Sequence, residues 1–315
     1  MNQLDVLKKY TKIALDSSDI EDMSIFHPTD VTTNPSLILR SSTLIKYNHV
    51  IKNAISYAKK IGGSTQSQLI NALDKVYVNI GLEILKHISG WVSTEIDPRI
   101  SFNRNMCVNR ARKIIDLYQK EGIDTTSRVL IKIAATWEGI CAAEILEKED
   151  IHCNMTLLFS FAQAHACADA GVFLISPFVG RIYDWYQSKT SFLNYDPGVN
   201  FVKKIFNFYK KHQYATIVMA SSFRNTEQII SLTGCDYLTL APKLIQKVLL
   251  NKEPIRRKLI LPSKVSSPVT KISENLFRWK HNCDAMAVEK LSEGIRNFYY
   301  DQKKLEELLL IELLQ

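Results

Sequence analysis

Lys132 is flanked on both sides by apolar, β-favouring residues in Val129-Leu130-Ile131-Lys132-Ile133-Ala134. A lysine in such a run reaches water with difficulty. Burying a bare ammonium costs several kcal/mol or more unless it is paired or gives up its proton. Desolvation drives a lysine pKa down, to about 5–6 in deeply buried cases. An uncharged amine in a polar-lined pocket is a nucleophile suited to attack on a ketone carbonyl. The competing reading is a snorkelling lysine, or a structural ion pair with Glu95 or Asp16.

Other β-favouring runs also carry polar residues where a closed core would have apolar ones. Asp16 follows Ile13-Ala14-Leu15, Thr32-Thr33-Asn34 ends a second run, and Glu95 lies in Val92-Ser93-Thr94-Glu95-Ile96. Asn154 and Thr156 alternate in another, Ser176 ends the next, and Ser221-Ser222 with Arg224 end the one after. Two carboxylates beside an uncharged amine could supply general acid and base groups for carbon–carbon bond cleavage. Asp16 alone could instead be a helix N-cap, since Ser17-Ser18-Asp19 is rich in capping residues. Arg181, in Phe178-Val179-Gly180-Arg181, and Arg224 fit a phosphate clamp, because guanidinium binds phosphate oxygens bidentately. Two arginines exposed to solvent would satisfy the same spacing.

The elements that must position these residues alternate along the chain. Short strand-like runs are predicted over Lys12–Asp16, Asp30–Thr33, Val92–Ile96, Val129–Ala134, Asn154–Leu158, Val172–Ser176, Thr216–Ala220 and Tyr237–Leu240. Between them, helical periodicity marks stretches such as Leu44–Lys60, Gln66–Leu85, Asn105–Lys120, Trp137–Lys148, Ser160–Asp169, Val199–Lys211, Thr226–Leu232 and Pro242–Leu249. Eight strands alternating with helices point to an α/β fold, a (β/α)8 TIM barrel with additional N- and C-terminal helices, in a single domain spanning 1–315. From about residue 255 the chain reads as mostly helical, ending in Ala285–Leu314, on the outside of the barrel or at a subunit contact. A doubly wound sheet is the competing architecture, but no GxGxxG follows the first strand. In a barrel the polar residues would gather at the C-terminal strand ends, where such folds place their active sites.

Composition narrows the function classes. The chain has 315 residues, 46% hydrophobic and 23% charged, as expected of a soluble globular protein. The longest apolar stretches, such as Thr156–Phe161 and Leu308–Leu314, are too short to cross a bilayer. The N-terminus shows an amphipathic pattern rather than an export signal, which implies a cytoplasmic location. Six cysteines (Cys107, Cys141, Cys153, Cys167, Cys235, Cys283) are scattered without metal-ligand spacing, so no metal site is expected and a reducing compartment is. A net charge of +8 is compatible with nucleic acid, anionic substrates or a lysine-rich compositional bias. No nucleic-acid-binding motif or dense basic run favours the first of these.

Six blocks carry a family resemblance: Thr32–Ile38, Val92–Asp97, Leu130–Ala134 followed by Thr136–Ile140, Asn154–Ser160, Ile175–Arg181 and Ser222–Asn225. Together, in order, they resemble the signature blocks of the transaldolase family. The resemblance implies a class I aldolase-type barrel, usually a homodimer, acting on sugar phosphates in the pentose phosphate pathway without metal or organic cofactor. It implies that Lys132 is the Schiff-base lysine and Asp16 the acid/base at the donor hydroxyl, with Glu95 and Thr156 holding the catalytic water. Thr32, Asn34, Asn154 and Ser176 resemble the groups that contact the dihydroxyacetone moiety. Arg181, Ser222 and Arg224 resemble the phosphate-binding set, and Asp196–Val199 a loop on the rim of the site. The departures are Ser17-Ser18 where the family usually has Thr-Gly, Ala135 where it has Ser, and Ala220-Ser221 where it has Gly-Ala; none replaces a residue assigned to chemistry.

Two other functions compete. A fructose-6-phosphate aldolase would share the fold and the lysine but release the three-carbon unit; Phe178 and Glu95 argue against it, since those aldolases resemble this family with Tyr and Gln at those places. A non-catalytic barrel binding anions or nucleic acid draws support only from the net charge.

Overall fold

The structure, a computed structural model, describes residues 2–190, 194–266 and 269–315. Eight strands form the sheet: β1 (Lys12–Asp16), β2 (Asp30–Thr32), β3 (Val92–Glu95), β4 (Val129–Ala134), β5 (Cys153–Leu158), β6 (Leu174–Pro177), β7 (Ile217–Ala220) and β8 (Tyr237–Leu240). All neighbours pair in parallel in chain order, and β1 closes on β8, giving the expected (β/α)8 barrel. Each predicted strand overlaps an observed one to within a residue or two at its ends.

Period-two alternation sorts every strand between two environments. Leu15, Val31, Val92, Ile131, Ile133, Met155, Ile175 and Val218 belong to the large apolar layer between sheet and helices. Ala14, Leu130, Leu174, Met219 and Tyr237 form a separate small cluster inside the barrel. One inward position further along, the apolar filling gives way to Asp16, Thr32, Lys132, Asn154 and Ser176, all buried except the half-buried Asp16. Register keeps them level: Asp16 lies opposite Thr32, Glu95 opposite Lys132, and Lys132 opposite Asn154.

Local sequence fixes where the helices begin. Asn34 caps Pro35–Ser42 by accepting from Leu37 N, and Pro35 supplies the fixed φ of the first turn. Ser160 and Gln163 form a capping box for Phe161–Asp169. Asp19, not Asp16, caps Ile20–Phe26, so the capping alternative for Asp16 falls away. Asp196–Val199 is a helix start rather than a loop: Asp196 caps Pro197–Lys211 and accepts from Val199 N.

The segment after residue 255 departs from its predicted helical character. Residues 251–266 and 269–273 have no regular secondary structure, and helix resumes only at Glu274–Asn282 and Ala285–Leu314. Backbone bonds hold the irregular part to the barrel, with Lys258 N and Leu259 N on Thr233 O, Ser266 N on Lys211 O, and Ile272 N on Asp169 Oδ2. Short helices at Ile20–Phe26 and Pro35–Ser42, and the longer Gly180–Lys189, were not anticipated by periodicity. The first two present too few turns for an apolar stripe to stand out. The 30-residue C-terminal helix is tied down through Ser36 to Asp301, through Arg99, which bridges Asp97 and Glu306, and through Trp185 to Glu289.

Candidate active site

A cavity of about 190 Å³ opens at the C-terminal ends of the strands. Asp16, Thr32, Asn34, Lys132, Thr156, Ser176, Phe178, Arg181, Ser222 and Arg224 line it, whereas Glu95, Asn154 and Asp196–Val199 do not. Lys132 Nζ donates to the Thr33 carbonyl at 2.9 Å and lies 3.1 Å from Glu95 Oε2. The lysine is thus neither snorkelling nor unpaired; it is held inside the barrel against one carboxylate. Asn154 is held by donating to Ser93 Oγ at 3.1 Å and accepting from Ser176 Oγ at 2.6 Å, so it acts on the cavity through Ser176.

The opposite wall carries Asp16. Its Oδ1 accepts from Thr32 Oγ1 at 3.1 Å, and Thr32 shares a second hydrogen bond of 2.7 Å with Thr239 Oγ1. Burial pushes the Asp16 carboxyl above its ordinary value, against the opposing attraction of Lys132. Glu95 is raised for the same reason, again opposed by Lys132. Thr156 Oγ1 is buried without a hydrogen-bond partner among the described residues, whereas Glu95 Oε2 has Lys132 Nζ at 3.1 Å. A buried hydroxyl is seldom left so, and Thr156, in the cavity lining, marks a place where a polar ligand or water completes the set.

The backbone around this wall is unusual. Leu157, next to Thr156, has φ 53° where β5 shifts register against β6, and Ser222 has φ 61°. Neither is glycine, and left-handed conformations of such residues cost roughly 1–3 kcal/mol and gather at functional sites. At Ser222 the turn brings its carbonyl onto Gly180 N at 2.7 Å; a Cβ on Gly180 would lie 2.2 Å from that oxygen, so only glycine fits.

The two arginines differ. Arg181 is half-buried beside the cavity, with no ion pair among the described residues and its guanidinium carbon 4.9 Å from the Phe178 ring centroid. Burial lowers its pKa, and the nearby Arg224 lowers it further. Arg224 stands at the mouth, 40% exposed, and gives one edge to Asp184 through Nε at 2.9 Å and Nη2 at 2.7 Å. They form one cationic end to the cavity, at late strands where barrels commonly bind phosphate.

Several cavity residues escaped sequence analysis, among them Thr239, Leu244 and Phe298. Thr239 carried a signal, a polar residue at an inward position of β8, which its neighbours in Tyr237–Leu240 display. Phe298 carried none, because nothing in a helical repeat says which barrel strand it will meet. Among the described residues there is no group of three or more His, Cys, Asp or Glu side chains able to hold a metal ion, and no helix is long and apolar enough to cross a membrane.

The transaldolase/fructose-6-phosphate aldolase family model matches residues 13–309. The chain belongs to that family. It is 56% identical over 317 residues to transaldolase A of Escherichia coli (strain K12), covering 99% of this chain and 100% of that protein. Transaldolase 2 of Salmonella choleraesuis (strain SC-B67) is 55% identical over the same shares of both chains. The matched span includes every residue of the cavity described above.

Proposed function

We propose that the protein is a transaldolase, transferring a dihydroxyacetone unit from sedoheptulose 7-phosphate or fructose 6-phosphate to glyceraldehyde 3-phosphate or erythrose 4-phosphate. The observation that carries this reading is one buried lysine facing two raised carboxylates in a cavity whose far end is cationic.

Glu95 lies 3.1 Å from Lys132 Nζ and its proton affinity is raised by burial, so it is placed to exchange a proton with the lysine as the amine reacts. The amine adds to the C2 ketone, and Glu95, with Thr156 holding the water, assists its loss to leave an iminium. Asp16 then takes the C4 hydroxyl proton. The C3–C4 bond breaks, its electron pair passing into the enamine, and an aldose phosphate departs. The iminium is the electron sink, so the protein need only hold the enamine and limit access of water. Addition of the acceptor aldehyde runs these steps backwards: Asp16 returns its proton to the new hydroxyl, and water adds to C2 to free Lys132. Thr32, Asn34 and Ser176 hold the three-carbon unit, with Asn154 fixing Ser176, while Arg181, Ser222 and Arg224 receive the phosphate.

Borohydride trapping with fructose 6-phosphate, followed by peptide mass spectrometry, tests the reading. A three-carbon adduct on Lys132 is the expected product; a folded sample with no lysine adduct would refute the mechanism. Release of free dihydroxyacetone without an acceptor would move the assignment to the aldolase branch, which Phe178 and Glu95 disfavour. We further propose a cytoplasmic homodimer in the pentose phosphate pathway. The exposed Phe102 and Trp279, 63% and 65% accessible on one groove, suit a subunit contact, and light scattering should give twice the 36.0 kDa chain mass.

A further inference from the structure

Arg181 is a half-buried cation without a carboxylate partner among the described residues, and part of what holds it comes from a region of the chain far from the barrel strands. Its guanidinium carbon lies over two rings, Phe178 at 4.9 Å and Phe298 at 5.6 Å from the centroids. Phe178 follows β6. Phe298 belongs to the C-terminal helix, is 3% exposed, and lines the cavity. The helix reaches this depth because of Gly294, one turn earlier on the same face. A Cβ there would meet Leu157 Cδ2 at 2.6 Å and Arg181 Nη1 at 3.4 Å. Phe298, Leu291 and Ile295 join Leu157, Phe159 and Phe178 in one apolar cluster, so the helix is packed on this wall rather than merely near it.

We propose that Phe298 is a positioning residue for Arg181 and thereby sets the enzyme's preference for phosphorylated ketoses. The inference rests on the transaldolase reading. A carboxylate would hold the guanidinium just as firmly, but it would take up N–H donors and repel a phosphate. A ring face holds the cation through its quadrupole and takes none of the donors. The arginine is therefore ordered in advance with its N–H groups free, and the phosphate is relieved of part of the entropic cost of fixing a long side chain. The contrast with Arg224, tied by Asp184 at the exposed mouth, is between an arginine aimed at the ligand and one held at its edge.

Phe298→Leu keeps an apolar side chain and removes the ring face; Phe298→Tyr keeps the ring. Steady-state kinetics with fructose 6-phosphate, inhibition by inorganic phosphate, and borohydride trapping of unphosphorylated dihydroxyacetone on Lys132 are compared in the two variants and the parent. For Phe298→Leu we expect KM and the phosphate inhibition constant to rise about tenfold, with kcat within about threefold and dihydroxyacetone trapping unchanged. Phe298→Tyr should stay within about twofold of the parent. Unchanged KM and phosphate inhibition in Phe298→Leu would overturn the proposal. So would a parallel loss of dihydroxyacetone trapping, which would mean that the helix supports the whole site, or a Tyr variant as impaired as Leu. If Leu lowers the folded yield, Phe298→Met makes the same comparison. Failure of the parent to form any lysine adduct would refute the transaldolase reading alone, since phosphate binding measured by calorimetry still reports the hold on Arg181.

Discussion

The two ends of the barrel are built from the same strands and treat charge in opposite ways. At the C-terminal end Asp16, Lys132 and Arg181 line a cavity, Glu95 lies 3.1 Å from Lys132, and the buried hydroxyl of Thr156 has no hydrogen-bond partner among the described residues. At the N-terminal end the rings of Trp91, His152 and Phe173 pack together, with His152 stacked on Phe173 at 4.6 Å. Charges there serve the backbone. Glu147 accepts from His152 Nδ1 at 2.9 Å and from Cys153 N and Phe173 N at 2.8 Å each. Arg128 donates to the carbonyls of Gly90, Leu85 and Ile88, closing the end of the Thr65–Leu85 helix. Asp30 Oδ1 accepts from Trp91 N at 2.7 Å, though its Oδ2 is buried without a hydrogen-bond partner among the described residues. A buried charge whose bonds close on the chain contributes to stability, whereas one left facing a cavity costs stability and retains reactivity.

The comparison breaks most sharply at Lys132. Lys132→Ala should lower turnover by about ten-thousand-fold or more and abolish the borohydride adduct, because no other described side chain places an amine in the cavity. Its melting temperature should not fall with its activity. Substantial residual turnover would mean that the covalent route is wrong. Asp16→Asn should follow, with turnover down at least about a hundredfold. Burial raises the Asp16 carboxyl above 3.8, so the native state holds its proton more tightly than the unfolded chain does. Stability therefore falls as pH rises through the window between 3.8 and the folded value, and the deficit persists at neutral pH. The amide removes it, so calorimetry at pH 7 should show Asp16→Asn melting above the parent. A lower melting temperature would place Asp16 among the structural charges of the opposite end.

That difference between ends also explains what was legible in the sequence. The barrel was legible because each strand is a short apolar run between longer helical periods. Lys132, Asp16 and Glu95 were legible because a charged residue inside such a run contradicts its surroundings. Phe298 was not legible, since an aromatic residue in an amphipathic helix agrees with its surroundings and its contact with Arg181 depends on long-range packing. Glu147 was equally silent, for an acid near a helix C-terminus looks like a solvated charge until its three donors are seen. The stretch after about residue 255 misled because its aliphatic residues imply packing, yet Leu259 and Ile272 are buried while Ile260, Leu261 and Val265 remain exposed.

At the N-terminal end the expected effects are smaller and fall on stability. Glu147→Ala deprives two backbone amides and one imidazole of their acceptor. A loss of about 2–4 kcal/mol is expected, lowering the melting temperature by roughly 5–10 °C in a chain of this size. The fraction that remains folded should keep kcat within about twofold of the parent, since the site lies at the other end of the strands. A variant that kept its stability but lost activity would reverse the assignment of the two ends.

The smallest effect is a titration. The hydrogen bond to Glu147 raises the His152 pKa above 6.5; partial burial opposes it, and the charges of Glu147 and Asp150 add to the rise. Because the folded value exceeds the unfolded one, the contribution is complete below 6.5 and is lost as pH rises through the folded value. Stability measured by urea unfolding should therefore step down above pH 6.5, superimposed on opposite contributions from His165 and His281, whose values burial lowers. Glu147→Gln retains an amide oxygen for Cys153 N and Phe173 N but removes the charge that favours protonated His152. The difference in unfolding free energy between parent and Glu147→Gln isolates His152, and it should shrink as pH rises across that window. A difference that stayed constant with pH would mean that His152 is held by its ring stack alone and that Glu147 acts only on the backbone.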